Sequence, residues 1–148
     1  MIAGCLPPRS ALAAAFRSGL LRIGFVPARP WCYESAGELR GYEVSACREL
    51  AGLLGGYAIF VPCTPAELTD RLLAGQLDLC VGGLVEQGYA DIRCVRTARL
   101  KPVERACRYR QVFFPTVWWI PRDQLLWFAL LWTFMAMRRL RIHLANPG

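Results

Sequence analysis

Between Leu21 and Gly83 the chain switches repeatedly between two hydrophobic periods, and this alternation limits the fold more than any other feature of its 148 residues. Leu21-Arg22-Ile23-Gly24-Phe25-Val26 is a short β-prone stretch, stopped by Pro27 and Pro30 because proline cannot donate to a ladder. An irregular loop carrying Trp31 and Tyr33 follows, then a turn at Ser35-Ala36-Gly37-Glu38. From Tyr42 the period becomes helical: Val44, Cys47, Leu50, Ala51 and Leu54 share a face, and Gly55-Gly56 ends the pattern. Tyr57-Ala58-Ile59-Phe60-Val61 is a second strand. Thr64-Pro65-Ala66-Glu67 then joins a capping residue, a proline at the first helical position and a glutamate three after the cap, a specific helix start. This helix carries Leu68, Leu72 and Leu73, stops at Gly75, and gives way to a third strand, Leu77-Asp78-Leu79-Cys80-Val81, ending in Gly82-Gly83. Two successive β-α-β units predict an α/β fold with a largely parallel, buried sheet and right-handed crossovers. Ligands in such sheets collect beyond the carboxyl ends of the strands, so the loops at 27–33 and 82–87 are the candidate binding loops.

The composition, 55% hydrophobic and 20% charged, suits one domain with a core and excludes a disordered or low-complexity chain. Seven cysteines (5, 32, 47, 63, 80, 94 and 107) are never closer than thirteen positions, so no C-x-x-C pair exists for zinc or redox work, and an odd count does not suit a closed disulfide framework. His143 is the sole histidine, without a second one to share a metal. No nucleophile-base pair or paired catalytic carboxylates stand out, so the sequence points to no enzyme, no metal and no cofactor.

The segments at 21–84 resemble, in order, the first lobe of the family 3 extracellular solute-binding proteins, the periplasmic receptors of polar amino-acid uptake by ABC transporters. Leu21-Arg22-Ile23-Gly24 resembles the opening strand, Pro30-Trp31 the proline-aromatic loop, and Gly37-Glu38-Leu39-Arg40-Gly41-Tyr42-Glu43-Val44 the G-E-L-x-G-[FY]-[DE]-[VI] entry to the first helix. Phe60-Val61, then Leu68, Leu72, Gly75, Asp78 and Gly82-Gly83, resemble the second β-α-β unit. The resemblance implies a lobe of the type II periplasmic binding protein kind that binds a free, polar amino acid. It places Trp31 and Tyr33 in the aromatic loop, Gly82, Gly83 and Leu84 as backbone around the ligand amine, and Arg105 on the ligand carboxylate, with Arg93 its ungapped competitor. A guanidinium matches a carboxylate in two-pronged fashion, and an aromatic face excludes water.

The chain also departs from the family. Val85 stands where a Ser or Thr is usual, and Val26 where receptors for cationic amino acids often carry an acid, which disfavours an Arg- or Lys-specific pocket. After Phe113-Phe114-Pro115-Thr116-Val117, which resembles the hinge approach, the second lobe does not follow, so the expected protein is a truncated, divergent or partner-completed member whose lone lobe binds weakly or not at all. The implied division is a lead-in helix and linker over 1–20, the lobe over 21–122, and an apolar then basic C-terminal helix over 123–148.

Residues 1–84 hold seven Arg and seven acids, whereas residues 85–148 hold eleven Arg and Lys against four acids, so the net charge of +7 lies in the second part. Its densest run, Arg93 to Arg110, reads as a solvated face or as a surface for phosphates, although no nucleic-acid-binding motif accompanies it and no nucleic-acid partner is favoured. The apolar run at 125–137, followed by Arg138, Arg139 and Arg141, has three readings: a helix buried or facing a partner such as a permease, an interfacial anchor with Trp127 and Trp132 near lipid headgroups, or a short span. Ile2-Ala3-Gly4-Cys5 matches a lipobox without the apolar stretch a signal peptide requires. The resemblance therefore implies a periplasmic or envelope location, and the alternative function is a basic, membrane-associated interaction module without a small-molecule ligand.

Overall fold

The first β-prone stretch becomes β1 (Leu20–Phe25), which pairs in parallel on one side with β4 (Tyr57–Pro62) and on the other with β5 (Leu79–Val81). The computed structural model describes residues 18–97 and 116–145. Two crossover helices connect these strands: α1 (Tyr42–Leu53), preceded by the small hairpin of β2 (Tyr33–Ser35) and β3 (Glu38–Arg40), and α2 (Pro65–Leu73). The turn read at residues 35–38 closes that hairpin, with Ala36 and Gly37 both at positive φ. The capping box read at Thr64 is formed: its hydroxyl accepts from the Glu67 N–H at 3.3 Å, and the Glu67 carboxylate accepts from the Thr64 N–H at 3.4 Å.

Two further strands complete the sheet. β6 (Ile92–Arg96) and β7 (Val117–Pro121) form an antiparallel pair, and β7 also runs antiparallel to β5, giving the order β4-β1-β5-β7-β6. The sheet is mixed and mostly parallel, with β7 alone reversed. The start of the basic run, from Arg93, falls within a strand. In the structure Ile92 is buried in the smaller core and Val95 in the main core, on opposite faces of an edge strand, while Arg96 is exposed. β7 is buried on both faces: Trp118 and Ile120 join the core beneath α1, Val117 and Trp119 the smaller core beneath α2.

The apolar C-terminal run forms α3 (Leu125–Ala145), one continuous helix that carries its arginines rather than ending before them. Trp127, Leu131, Phe134 and Met135 are buried in the same cluster as Ile23, Val44, Leu50 and Trp118. The Trp127 indole N–H donates to the Asp78 carbonyl at 2.9 Å, so this side chain belongs to the core and is withdrawn from any headgroup layer. At the other end Glu49 of α1 takes Arg138 and Arg141 of α3 as ion-pair partners. Among the described residues no helix is long and apolar enough to cross a membrane.

β5 begins two residues later than the sequence reading, because Asp78 uses its side chain to organise the neighbouring strand. Its buried carboxylate accepts from the Arg22 N–H at 2.7 Å and from the Arg22 guanidinium at 3.0 and 3.3 Å, while its own N–H donates to the Arg22 carbonyl at 2.8 Å. Ala11 to Arg17, read as a lead-in helix, lies outside the described residues. Because α3 fills the main core, Leu131→Ala is expected to lower unfolding free energy by about 2–5 kcal/mol in denaturant melts, the cost of a large-to-small change at a fully buried site. A change below about 1 kcal/mol would show that α3 contributes no core.

Candidate functional site

The loop at residues 27–33 is built as a cap for α1. Ala28 and Cys32 exchange two backbone hydrogen bonds, at 2.7 and 2.8 Å, which close the loop on itself. The carbonyls of Pro30 and Trp31 then accept from the N–H groups of Tyr42 and Glu43 at 3.2 and 3.0 Å, two of the donors that the first turn of a helix leaves unpaired. Gly41, at φ 129°, makes this approach possible: a side chain there would run into the Trp31 carbonyl.

Glu43 fixes the second candidate loop to the first. Its side chain is buried, and its carboxylate accepts from the N–H of Gly82 at 2.8 Å and of Gly83 at 3.3 Å, tying the first turn of α1 to the end of β5. Burial, the largest effect, pushes the carboxyl up to about 7 from 4.5, with the Gly82 and Gly83 N–H groups pulling the other way. The Trp118 indole N–H also favours the ionised form through its proximity; its geometry is short of a hydrogen bond, and that atom has no partner among the described residues. The sequence reading took Glu43 only as a letter of the helix-entry motif. The [DE] of that motif carried the signal, since an acid beside an otherwise apolar helix face needs a partner.

The structure brings Trp31 and Gly83 together. A Cβ on Gly83 would lie 2.5 Å from Cε3 of Trp31, so the indole rests directly on the glycine at the end of β5. Gly82, at φ 125°, is packed against the Val26 backbone in the same way. Glu43 thus occupies both glycine N–H groups. Leu84 offers its carbonyl to the Val117 N–H at 2.8 Å, and Val85 offers its carbonyl to the Trp119 indole at 3.2 Å. Tyr33 stands at the start of β2 with the Arg29 guanidinium 4.3 Å from its ring centroid, a cation-π pair. Arg105 lies outside the described residues. Arg93 lies on β6 with its guanidinium 4.8 Å from the Phe128 ring, in a cleft of about 240 Å³ shared with Glu86, Gln87 and Arg122, of which Trp31 is no part.

Cys32 and Cys47 lie close to Glu43 under the loop. Burial first, then the Glu43 charge, pushes the Cys32 thiol up to about 12 and the Cys47 thiol well above its ordinary value. Cys80, at the centre of the sheet, is also raised by burial. These are packing cysteines, not nucleophiles.

The fold is that of the first lobe of an amino-acid solute-binding protein. Superposition on the arginine-bound form of domain 1 from TmArgBP gives a TM-score of 0.70 over 84% of this chain and 97% of that one, at 14% identity. An ancestral cationic amino acid solute-binding protein matches with a TM-score of 0.56 at 22% identity, and an ancestral cyclohexadienyl dehydratase with 0.57 at 24%. The chain spans 41% of the length of each of these two larger proteins, and 61% and 64% of the chain takes part. No family model matches the sequence, and no curated protein does.

Glu43 makes the site sensitive to pH. The unfolded carboxyl ionises near 4.5 and the folded one near 7, so its contribution to stability is full below 4.5 and is lost as pH rises to about 7. In Glu43→Gln this slope is expected to vanish from unfolding free energies measured between pH 4 and 8. Glu43→Ala, which strands two buried N–H groups, is expected to cost about 2–3 kcal/mol at pH 5. An unchanged slope in Glu43→Gln would assign the pH dependence elsewhere.

Proposed function

We propose that the chain is the ligand-binding first lobe of an amino-acid solute-binding protein, with a polar amino acid held against Trp31 at the carboxyl ends of β1 and β5. One observation carries this reading: the two loops singled out by topology meet, with the Trp31 indole lying on Gly83. The comparison with domain 1 from TmArgBP supports it, because a lobe of this outline is described there in an arginine-bound form. In this reading the indole supplies the apolar wall, Tyr33 and Arg29 border the opening, and Arg105 meets the ligand carboxylate. Leu84 contributes backbone only. Val26 leaves the wall without a carboxylate, so the ligand is a neutral or acidic amino acid rather than a cationic one. The lobe would serve uptake or sensing in the cell envelope, with a transporter permease as the partner of the assembled receptor.

Catalysis is the second reading, raised by the dehydratase among the similar structures. The binding reading is preferred on geometry. Glu43 is the described acid placed to exchange protons near pH 7 at this end of the sheet, and both its oxygens are engaged by backbone N–H groups inside the core.

A thermal-shift panel of the twenty amino acids at millimolar concentration tests the proposal. A ligand present at about a hundredfold its Kd adds about 2.7 kcal/mol, a shift of several degrees for a chain of this size. The expected result is a selective, salt-insensitive rise that Trp31→Ala abolishes while the ligand-free protein still melts cooperatively. No rise with any amino acid, or a rise that persists in Trp31→Ala, would refute the proposed site.

A further inference from the structure

α3 buries one side in the core and leaves the other without a partner among the described residues. Leu125, Leu126, Trp132, Met137, Leu140 and Leu144 are each more than half exposed, between 57% and 75%. At about 100° per residue they fall within an arc of about 140°, interleaved with Ala129, Thr133 and Ala136. The result is one continuous apolar stripe along a helix about 31 Å long. Isolated exposed leucines are ordinary, but a contiguous stripe of this length marks an interaction surface.

The charges around the stripe indicate what covers it. Arg139 and Arg141 lie on its two borders, about a quarter-turn to either side of its centre, and both are exposed, with one guanidinium N–H of Arg139 donating to the Arg96 carbonyl at 3.2 Å and Arg141 paired with Glu49. Glu49 balances only one of its two partners, Arg138 and Arg141, and no acid follows Asp123 in the sequence. The excess of positive charge lies in the second half of the chain, and the whole carries +7. A second copy brought onto this face would set like charge against like. An anionic surface that accepts apolar side chains meets both demands: leucines enter the acyl boundary, Trp132 sits at headgroup depth, and the flanking arginines reach phosphates.

We propose that the outer face of α3 docks the lobe flat onto an anionic lipid surface, with the helix lying in the interface and not crossing it. Trp132 is the aromatic contact, while Trp127 stays in the core. This proposal is independent of ligand binding, because the stripe and Trp31 belong to different elements.

Vesicle flotation of the full chain tests it, using phosphatidylcholine alone and phosphatidylcholine mixed with phosphatidylglycerol. The protein is expected to float with the mixed vesicles, less so as salt rises, and to stay behind with phosphatidylcholine alone. The double variant Leu126→Glu with Leu140→Glu should lose about tenfold or more of this binding without a change in thermal midpoint, since neither side chain is in the core. Arg139→Gln should lose about fivefold. Equal binding to neutral vesicles, absence of binding, or undiminished binding by the double variant would each overturn the proposal. So would a concentration-dependent dimer that the double variant abolishes, which would give the face to a second copy.

Discussion

Two buried carboxylates hold the two ends of β5, and the lobe is organised around them. Asp78 at its start accepts the backbone and guanidinium N–H groups of Arg22, and its carbonyl receives the Trp127 indole. Glu43 reaches the other end from α1 and takes the N–H groups of Gly82 and Gly83. Each acid joins elements distant in sequence, and each is almost wholly withdrawn from solvent, at 1% and 4% exposure. Buried carboxyl groups without such partners would cost on the order of several kcal/mol, the penalty for an unsatisfied buried polar group, so the hydrogen bonds and the strand positions depend on one another.

The consequence for the carboxyl end of the sheet is that two loops share one support. The Trp31 loop is held by its own closure and by the N–H groups of Tyr42 and Glu43, and the glycine turn is held by the side chain of that same Glu43. Both loops are therefore indexed to one structural element, the start of α1. Their relative position is thereby set by a single helix turn.

The fold was legible in the sequence where local chemistry and global pattern agreed. The capping box at Thr64, the glycine stops and the period changes placed β1, α1, β4, α2 and β5 with small boundary differences. β6 was hidden because Arg93 and Arg96 dominate a five-residue strand with only two well-buried apolar positions. β7 was hidden for the opposite reason: Val-Trp-Trp-Ile-Pro is apolar throughout, and a fully buried strand shows no alternation. At the site, the Trp31 loop and the glycines were readable from topology, since strand ends converge in a parallel sheet. The role of Glu43 was not, because a carboxylate's partner across 39 positions of sequence is set by the fold.

The pairing of β6 with β7 closes at Thr97 and Thr116, whose hydroxyls lie 2.6 Å apart while the Thr116 carbonyl accepts from both the N–H and the hydroxyl of Thr97. Residues 97 and 116 are thus held to each other at one point. A connection of any length between those two threonines starts and ends at the same anchorage, and its length enters only through the slow logarithmic growth of closure entropy. The closure of this strand pair is in that sense indifferent to the length of what joins it.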